Sequence, residues 1–118
     1  MRLAKRQFLT DNKPRIDGFL RAVVEATHFV KTRRAEALAI LARYTRSNDQ
    51  EALNLIYDEY VQKVWPQVPE IQADDVKLVL EQLGETMPKA LELNPAELIY
   101  EGAMDNIVKS NFVKQLYR

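Results

Sequence analysis

Apolar side chains recur at helical spacing along most of the chain, and this pattern constrains the fold more than any other feature. Val76, Val79, Leu80 and Leu83 follow the spacing i, i+3, i+4, i+7, which places them on one face of an α-helix. The alternation typical of β-strands is not sustained anywhere, and glycine occurs only three times. We therefore predict an all-α fold, with six to seven short-to-medium helices in a compact orthogonal bundle and a single domain over residues 1–118.

Capping residues and prolines divide this pattern into segments. Proline and the residue before it disfavour a continuing helix, so Pro66 and Pro69 should end the fourth helix and hold an extended connector. The predicted caps are Thr32, Ser47 with Gln50, Asn48 with Glu51, Asn94 and Ser110. The predicted helices cover 3–9, 14–31, 33–46, about 50–65, about 75–84, a segment starting at Asn94, and a last segment ending at Leu116, with an irregular turn in 86–93.

The apolar rows of helices two to five also predict a core. Residues that share a helix face with other apolar residues are expected to point inward. The predicted core residues are Phe19, Leu20, Val23, Leu38, Leu41, Ile56, Tyr60, Val79, Leu80 and Leu83.

Composition excludes several classes of function. Lysine plus arginine and aspartate plus glutamate each total 17, so the formal charge is zero, and the basic excess typical of nucleic-acid-binding domains is missing. With no cysteine, a disulfide framework, a thiol nucleophile and a cysteine-ligated zinc are all excluded. We predict no cofactor, no metal and no nucleic-acid partner.

His28 is the only histidine, and it lies between two apolar rows of the second helix. A zinc site needs several ligands, so we interpret His28 as a structural residue. Lys31, Arg33 and Arg34 form a small basic cluster at a helix junction. A helix N-terminus can help to bind an anion, but we favour three solvated side chains.

Paired acidic residues do not indicate an acid–base site. Neighbouring positions on a helix point in different directions, which argues against Asp58–Glu59 and Asp74–Asp75. Glu81 and Glu85 are four residues apart and are interpreted as a solvated face near a helix end.

Six aromatic residues are candidates for the core or for contacts with a partner, because both roles suit aromatic side chains. Tyr57 and Tyr60 share a face with aliphatic residues, which favours the core. Trp65, beside Pro66, is the best candidate for a contact outside the chain. The others are Tyr44, Tyr100 and Tyr117.

None of the common catalytic motifs occurs, including a phosphate-binding glycine-rich loop, a Gly-x-Ser-x-Gly elbow and a His-Glu-x-x-His helix. We therefore predict that the protein is not an enzyme. The first residues are basic but lack an apolar run of signal-peptide length, and the chain as written would be cytoplasmic.

An ordered set of segments supports a more specific hypothesis about function. They are FLRA at 19–22, VEATHF at 24–29, KT at 31–32, AEAL at 35–38, LARYTR at 41–46, YDEY at 57–60, Pro66 and Pro69, VL at 79–80 with Leu83, NPAE at 94–97 and FVKQLY at 112–117. In this order and spacing the chain, from about residue 7 to 118, resembles the C-terminal part of solute-binding proteins of ABC importers, in the nitrate/sulfonate/taurine and thiamine-precursor branch.

The resemblance implies a larger protein with two α/β lobes and a ligand cleft between them. Such a protein captures a small solute outside the cytoplasmic membrane, in the periplasm or at the cell surface, and presents it to a permease. The C-terminal helices would serve mainly as scaffold, so no ligand-binding residue is assigned here. A signal peptide or lipid anchor and the strands of both lobes would precede Met1, and this chain would be a truncated form that does not bind solute by itself.

Two other hypotheses remain open. The chain could be a free-standing helical module that binds a protein partner or forms a homo-oligomer through exposed apolar surface. Alternatively, it could be a small helical enzyme or ligand pocket around His28 and the nearby tyrosines, although convergent polar groups are not evident there.

Overall fold

The computed structural model describes residues 4–100 and 102–118, and within them all regular structure is helical. The predicted all-α class is therefore confirmed. The helices are α1 Arg6–Asp11, α2 Lys13–Thr32, α3 Arg34–Thr45, α4 Gln50–Ile56, a π-helix Tyr57–Val64, α5 Ala73–Gly84, a 3₁₀ helix Pro88–Glu92, α6 Pro95–Leu98, α7 Ala103–Lys109 and α8 Phe112–Leu116.

Most predicted segments lie where expected, with two differences in how they are built. The predicted fourth helix is α-helical only to Ile56 and continues as the π-helix. A π-helix is defined by backbone hydrogen bonds that run five residues back instead of four. The segment that starts at Asn94 stops after one turn, and α7 begins only after Gly102, whose φ is 99°. The predicted residue Leu3 lies outside the described residues.

Several predicted caps are wrong because a neighbouring residue occupies the position. Asp49, rather than Ser47 or Asn48, caps α4 by accepting a hydrogen bond from the Ala52 N–H at 3.0 Å. Thr32 is the last residue of α2, and its hydroxyl donates to the His28 carbonyl. Ser110 likewise donates to a carbonyl of α7. The predicted Asn94 cap is confirmed, at 3.1 Å from the Ala96 N–H.

The helices divide into two groups. Here we call α1–α4, the π-helix, α7 and α8 the body, in which α7 and α8 pack on α2. We call residues 73–98, which form α5, the 3₁₀ helix and α6, the arm. Within the arm α5 packs on both other helices, whereas substantial packing of the arm on the body is absent among the described residues.

Each group has its own small core. In the body, Ala37 of α3 packs with Tyr57 and Val61 of the π-helix. In the arm, Val76 and Leu80 of α5 pack with Ala90. The other buried residues, which lie on α2, α4 and α7, are Val24, Thr27, Leu53 and Ile107.

The predicted core is wrong at several positions. Only Leu80 of the predicted set is fully buried. The half-buried members are Leu20, Val23, Leu38, Leu41 and Val79, and the exposed members are Ile56, Tyr60, Leu83 and Phe19. Ile56 and Tyr60 lie outside because the inner row of α4 and the π-helix is Leu53, Tyr57 and Val61.

The chain is more extended than a compact domain of its size. Its radius of gyration is 17.2 Å, whereas a compact domain of this length has about 13.5 Å. Its accessible surface is 9215 Å², against about 6,600 Å² for a compact monomer of this mass. In the described part of the chain, no helix combines the length and apolarity needed to cross a membrane.

Two leucines on α4 test which face of that helix points into the body. Leu53→Ala should lower the free energy of unfolding by about 2–5 kcal/mol, because the side chain is only 1% exposed and its removal leaves a cavity. Leu55→Ala, the matched control on the exposed face, should change it by less than about 0.5 kcal/mol. Urea denaturation measures both, and equal losses would contradict the assigned helix orientation.

Candidate interaction surface

A set of polar contacts joins the end of α2 to the π-helix. Tyr57 is buried, and its hydroxyl donates to the Val30 carbonyl at 2.8 Å. Gln62 donates from its side-chain amide to the Tyr57 hydroxyl and to the Lys31 carbonyl, at 2.9 and 3.0 Å. The last carbonyls of a helix lack intrahelical partners, so these donors satisfy the C-terminal end of α2.

Lys31 completes the connection in the opposite direction. Its ammonium donates to the Val61 carbonyl of the π-helix at 2.5 Å. We call Lys31, Tyr57 and Gln62 the junction lock. In the junction lock, α2 and the π-helix each donate hydrogen bonds to the other. These bonds fix the rotation of the π-helix against α2.

Arg34 covers the outer side of the junction lock. Its guanidinium lies 4.7 Å from the centroid of the Tyr57 ring, a cation–π arrangement. It also forms an ion pair with Asp58 and donates to the Asn54 side chain at 2.8 Å. The hydrogen bond from Arg34 lowers the pKa of Asp58 and raises the pKa of Arg34.

The predicted basic cluster is thus not a set of three solvated side chains. Lys31 and Arg34 are engaged at the junction, and Arg33 lies 3.9 Å from Glu36 in an exposed pair. The residues that sequence reasoning missed are Gln62 and Asn54. Their only sequence signal was their position on the same helical segment as Tyr57.

A second face of α4 and the π-helix carries an exposed apolar row. Its members, which we call the outer row, are Ile56, Tyr60, Val64 and Trp65. The rings of Tyr60 and Trp65 meet edge to face with centroids 6.5 Å apart, while Tyr60 remains 59% exposed. Aromatic residues presented in this way are common contact points in protein interfaces.

Two aromatic contacts join α2 to the C-terminal residues. His28 of α2 contacts Tyr117 edge to face, with centroids 4.7 Å apart. Arg21, seven residues earlier on α2, lies over the Phe112 ring at 5.0 Å. These contacts fasten α8 and the last residues to α2, which agrees with a structural role for His28.

The acidic residues considered for an acid–base site do not converge in the structure. Asp58 pairs with Arg34, whereas Glu59 pairs with Lys63 at 2.5 Å on the exposed side of the π-helix. Asp75 closes a capping box with Gln72 at the start of α5. Glu81 lies 3.9 Å from Lys77.

Two open clefts lie where the chain passes between arm and body. One is lined by Arg6, Ala96, Glu97, Ile99 and Tyr100. The other is lined by Lys13, Pro14, Ile16, Asp17, Tyr100, Gly102 and Asn106. Within residues 4–100 and 102–118, there is no group of three or more histidine, aspartate or glutamate residues that could hold a metal ion.

Comparison with known proteins adds no relative. The sequence matches no protein-family model, no curated protein and no solved structure.

The Arg34–Asp58 pair predicts an acid-sensitive contribution to stability. An unfolded aspartate titrates near pH 4, and the native pKa of Asp58 is lower. The contribution is therefore complete above about pH 4 and is lost as pH falls through the native pKa. Asp58→Asn should lower the urea midpoint at pH 7, and its difference from the unsubstituted chain should shrink at pH 3. Glu59→Gln serves as the adjacent control. A difference in urea midpoint between Asp58→Asn and the unsubstituted chain that does not change with pH would contradict the pairing.

The Tyr117 hydroxyl gives a second prediction. It is buried without a hydrogen-bond partner among the described residues, and burial raises its pKa. An unpaired buried hydroxyl carries a desolvation cost, so Tyr117→Phe should leave the free energy of unfolding unchanged or raise it by about 1 kcal/mol. Tyr117→Leu, which removes the ring contact with His28, should lower it. Urea denaturation at pH 7 measures both, and a clear loss in Tyr117→Phe would show that the hydroxyl has a partner.

Proposed function

We propose that this chain is the C-terminal helical part of an ABC-importer solute-binding protein of the nitrate/sulfonate/taurine and thiamine-precursor type. In this proposal the helices form a scaffold beneath two α/β lobes and carry out no catalysis. The lobes capture the solute in the periplasm or at the cell surface, and the permease is the partner that receives it.

The observation that carries this proposal is the large uncovered apolar surface. The chain exposes 9215 Å², about 2,600 Å² more than a compact monomer of its mass. Many of the exposed side chains are large and apolar, among them Leu55, Met87, Leu91 and Leu98. Surfaces of this kind normally lie against other protein. In this proposal, the helices have the compact arrangement expected from the sequence only within the larger protein, where the lobes cover these faces.

The attachment of the C-terminal residues to α2 gives further support. The resemblance depends most on the segment 21–46 and on the closing segment 112–117. Arg21 contacts Phe112, and His28 contacts Tyr117. The two segments are thus parts of one packing unit, as a scaffold role requires. The proposal assigns no solute contact to any residue of this chain.

An epitope tag placed after Arg118 at the chromosomal locus tests the proposal. The expected product exceeds the 13.7 kDa of this chain by much more than the mass of the tag and fractionates outside the cytoplasmic membrane. It should gain thermal stability with nitrate, taurine or a thiamine-precursor pyrimidine, because a ligand that binds only the folded state stabilises it. The isolated 118-residue chain is the matched control and should show no ligand-dependent shift. A cytoplasmic product with the mass of this chain plus its tag would overturn the proposal.

A free-standing interaction module is the alternative, and the outer row favours it. Tyr60 and Trp65 form an exposed aromatic pair on a π-helix whose rotation is fixed by the junction lock. A preformed aromatic surface is suited to binding a protein partner, because little side-chain freedom remains to be lost. A cytoplasmic product with the mass of this chain plus its tag would favour this alternative.

A further inference from the structure

Charge is distributed unevenly between the arm and the body, although the whole chain is neutral. The arm contains six acidic residues and two basic ones, for a formal charge of −4. The body, taken as residues 6–64 and 103–116, contains twelve basic and nine acidic residues, for a formal charge of +3. Because the two groups have opposite charge, the arm of one molecule is attracted to the body of another.

The outward face of α5 presents this acidic charge around an apolar centre. Asp74, Leu78, Glu81 and Glu85 follow the spacing i, i+4, i+7, i+11 and therefore form one stripe on the helix. Leu78 is 58% exposed. Asp74 and Glu85 form no ion pair with any described residue, and Glu81 has only the 3.9 Å contact with Lys77.

The outward face of α3 is complementary. The helix packs inward through Ala37 and Leu38. Its outer face carries Tyr44, which is 83% exposed, and the exposed Ile40. Arg43 is on the same face, and Arg46 follows the end of the helix; neither forms an ion pair within the described part of the chain.

Interface size favours a reciprocal arrangement of two copies. A stable interface buries about 1,200–2,000 Å² in total, which is more than one contact between two single helices supplies. A two-fold axis generates the arm-to-body contact twice, because each contact made by one copy is repeated by the other. The chain exposes about 2,600 Å² beyond a compact monomer, so enough surface is present on each copy.

We propose that two copies of the 118-residue chain form a two-fold dimer in which the α5 stripe of each copy packs on the outer face of α3 of the other. Leu78 lies against Ile40 and Tyr44, and Glu81 and Glu85 face Arg43 and Arg46. This inference goes beyond the proposed function and does not depend on it.

Charge reversal provides a sharp test by sedimentation equilibrium at low and high salt. The first variant carries Glu81→Lys and Glu85→Lys, and the second carries Arg43→Glu and Arg46→Glu. The unsubstituted chain should be dimeric, and its dissociation constant should rise with salt because exposed charges are screened. The homodimer dissociation constant of each variant alone should be about tenfold higher or more, since like charges then face each other.

The equimolar mixture of the two variants is the decisive sample. In the mixed dimer both contacts again join opposite charges, so dimers should return and each should contain one copy of each variant. Lys13→Glu with Arg15→Glu is the matched control, since it makes the same charge change on α2 and should leave the dimer unaffected. Circular dichroism verifies that every variant retains its helices. A monomeric unsubstituted chain, or a mixture that stays monomeric, would overturn the proposal.

A failure of the dimer proposal can be distinguished from a failure of the proposed function. The dimer is measured on the isolated chain, whereas the transport proposal is measured on the tagged product of the locus. A dimer that is insensitive to salt and to both charge variants would instead point to the outer row as the contact surface and would also overturn the arrangement through α3 and α5.

Discussion

The arrangement of the body depends on how the C-terminal end of α2 is satisfied. A helix leaves its last carbonyls without intrahelical partners, and here the Tyr57 hydroxyl and the Gln62 amide supply the missing donors. Since Lys31 donates back to the Val61 carbonyl, the two elements hold each other in one rotation. The junction lock thereby decides that Tyr57 and Val61 face inward and that Tyr60 faces outward.

The π-helix explains why Ile56 and Tyr60, which the sequence places in the core, are exposed. In an α-helix, residues four apart drift gradually around the axis, so 53, 56, 57, 60, 61 and 64 share one broad face. The wider turn of a π-helix, with its i→i+5 bonding, reduces that drift. Leu53, Tyr57 and Val61 then remain on the inside, and Ile56, Tyr60 and Val64 form a separate row outside.

Separation into body and arm follows from the small size of each core. Ala37, Tyr57 and Val61 make one cluster, and Val76, Leu80 and Ala90 make another, with no shared buried residue between them. Small cores leave large apolar side chains at the surface, and such surfaces tend to associate. The transport proposal covers them with two lobes, and the dimer proposal covers part of them with a second copy.

Local sequence determined the helical class, most helix boundaries and the Asn94 cap, because spacing, proline and capping chemistry act within a few residues. It also indicated a structural role for His28 from the absence of other zinc ligands, and the contact with Tyr117 agrees with that role. Tertiary structure decided the π register, the engagement of Lys31 and Arg34, the burial of Tyr57 beside the exposure of Tyr60, and the separation of the arm. Each of these depends on partners about 25–30 residues away or on packing between helices, and helical periodicity within one segment carries no information about such partners.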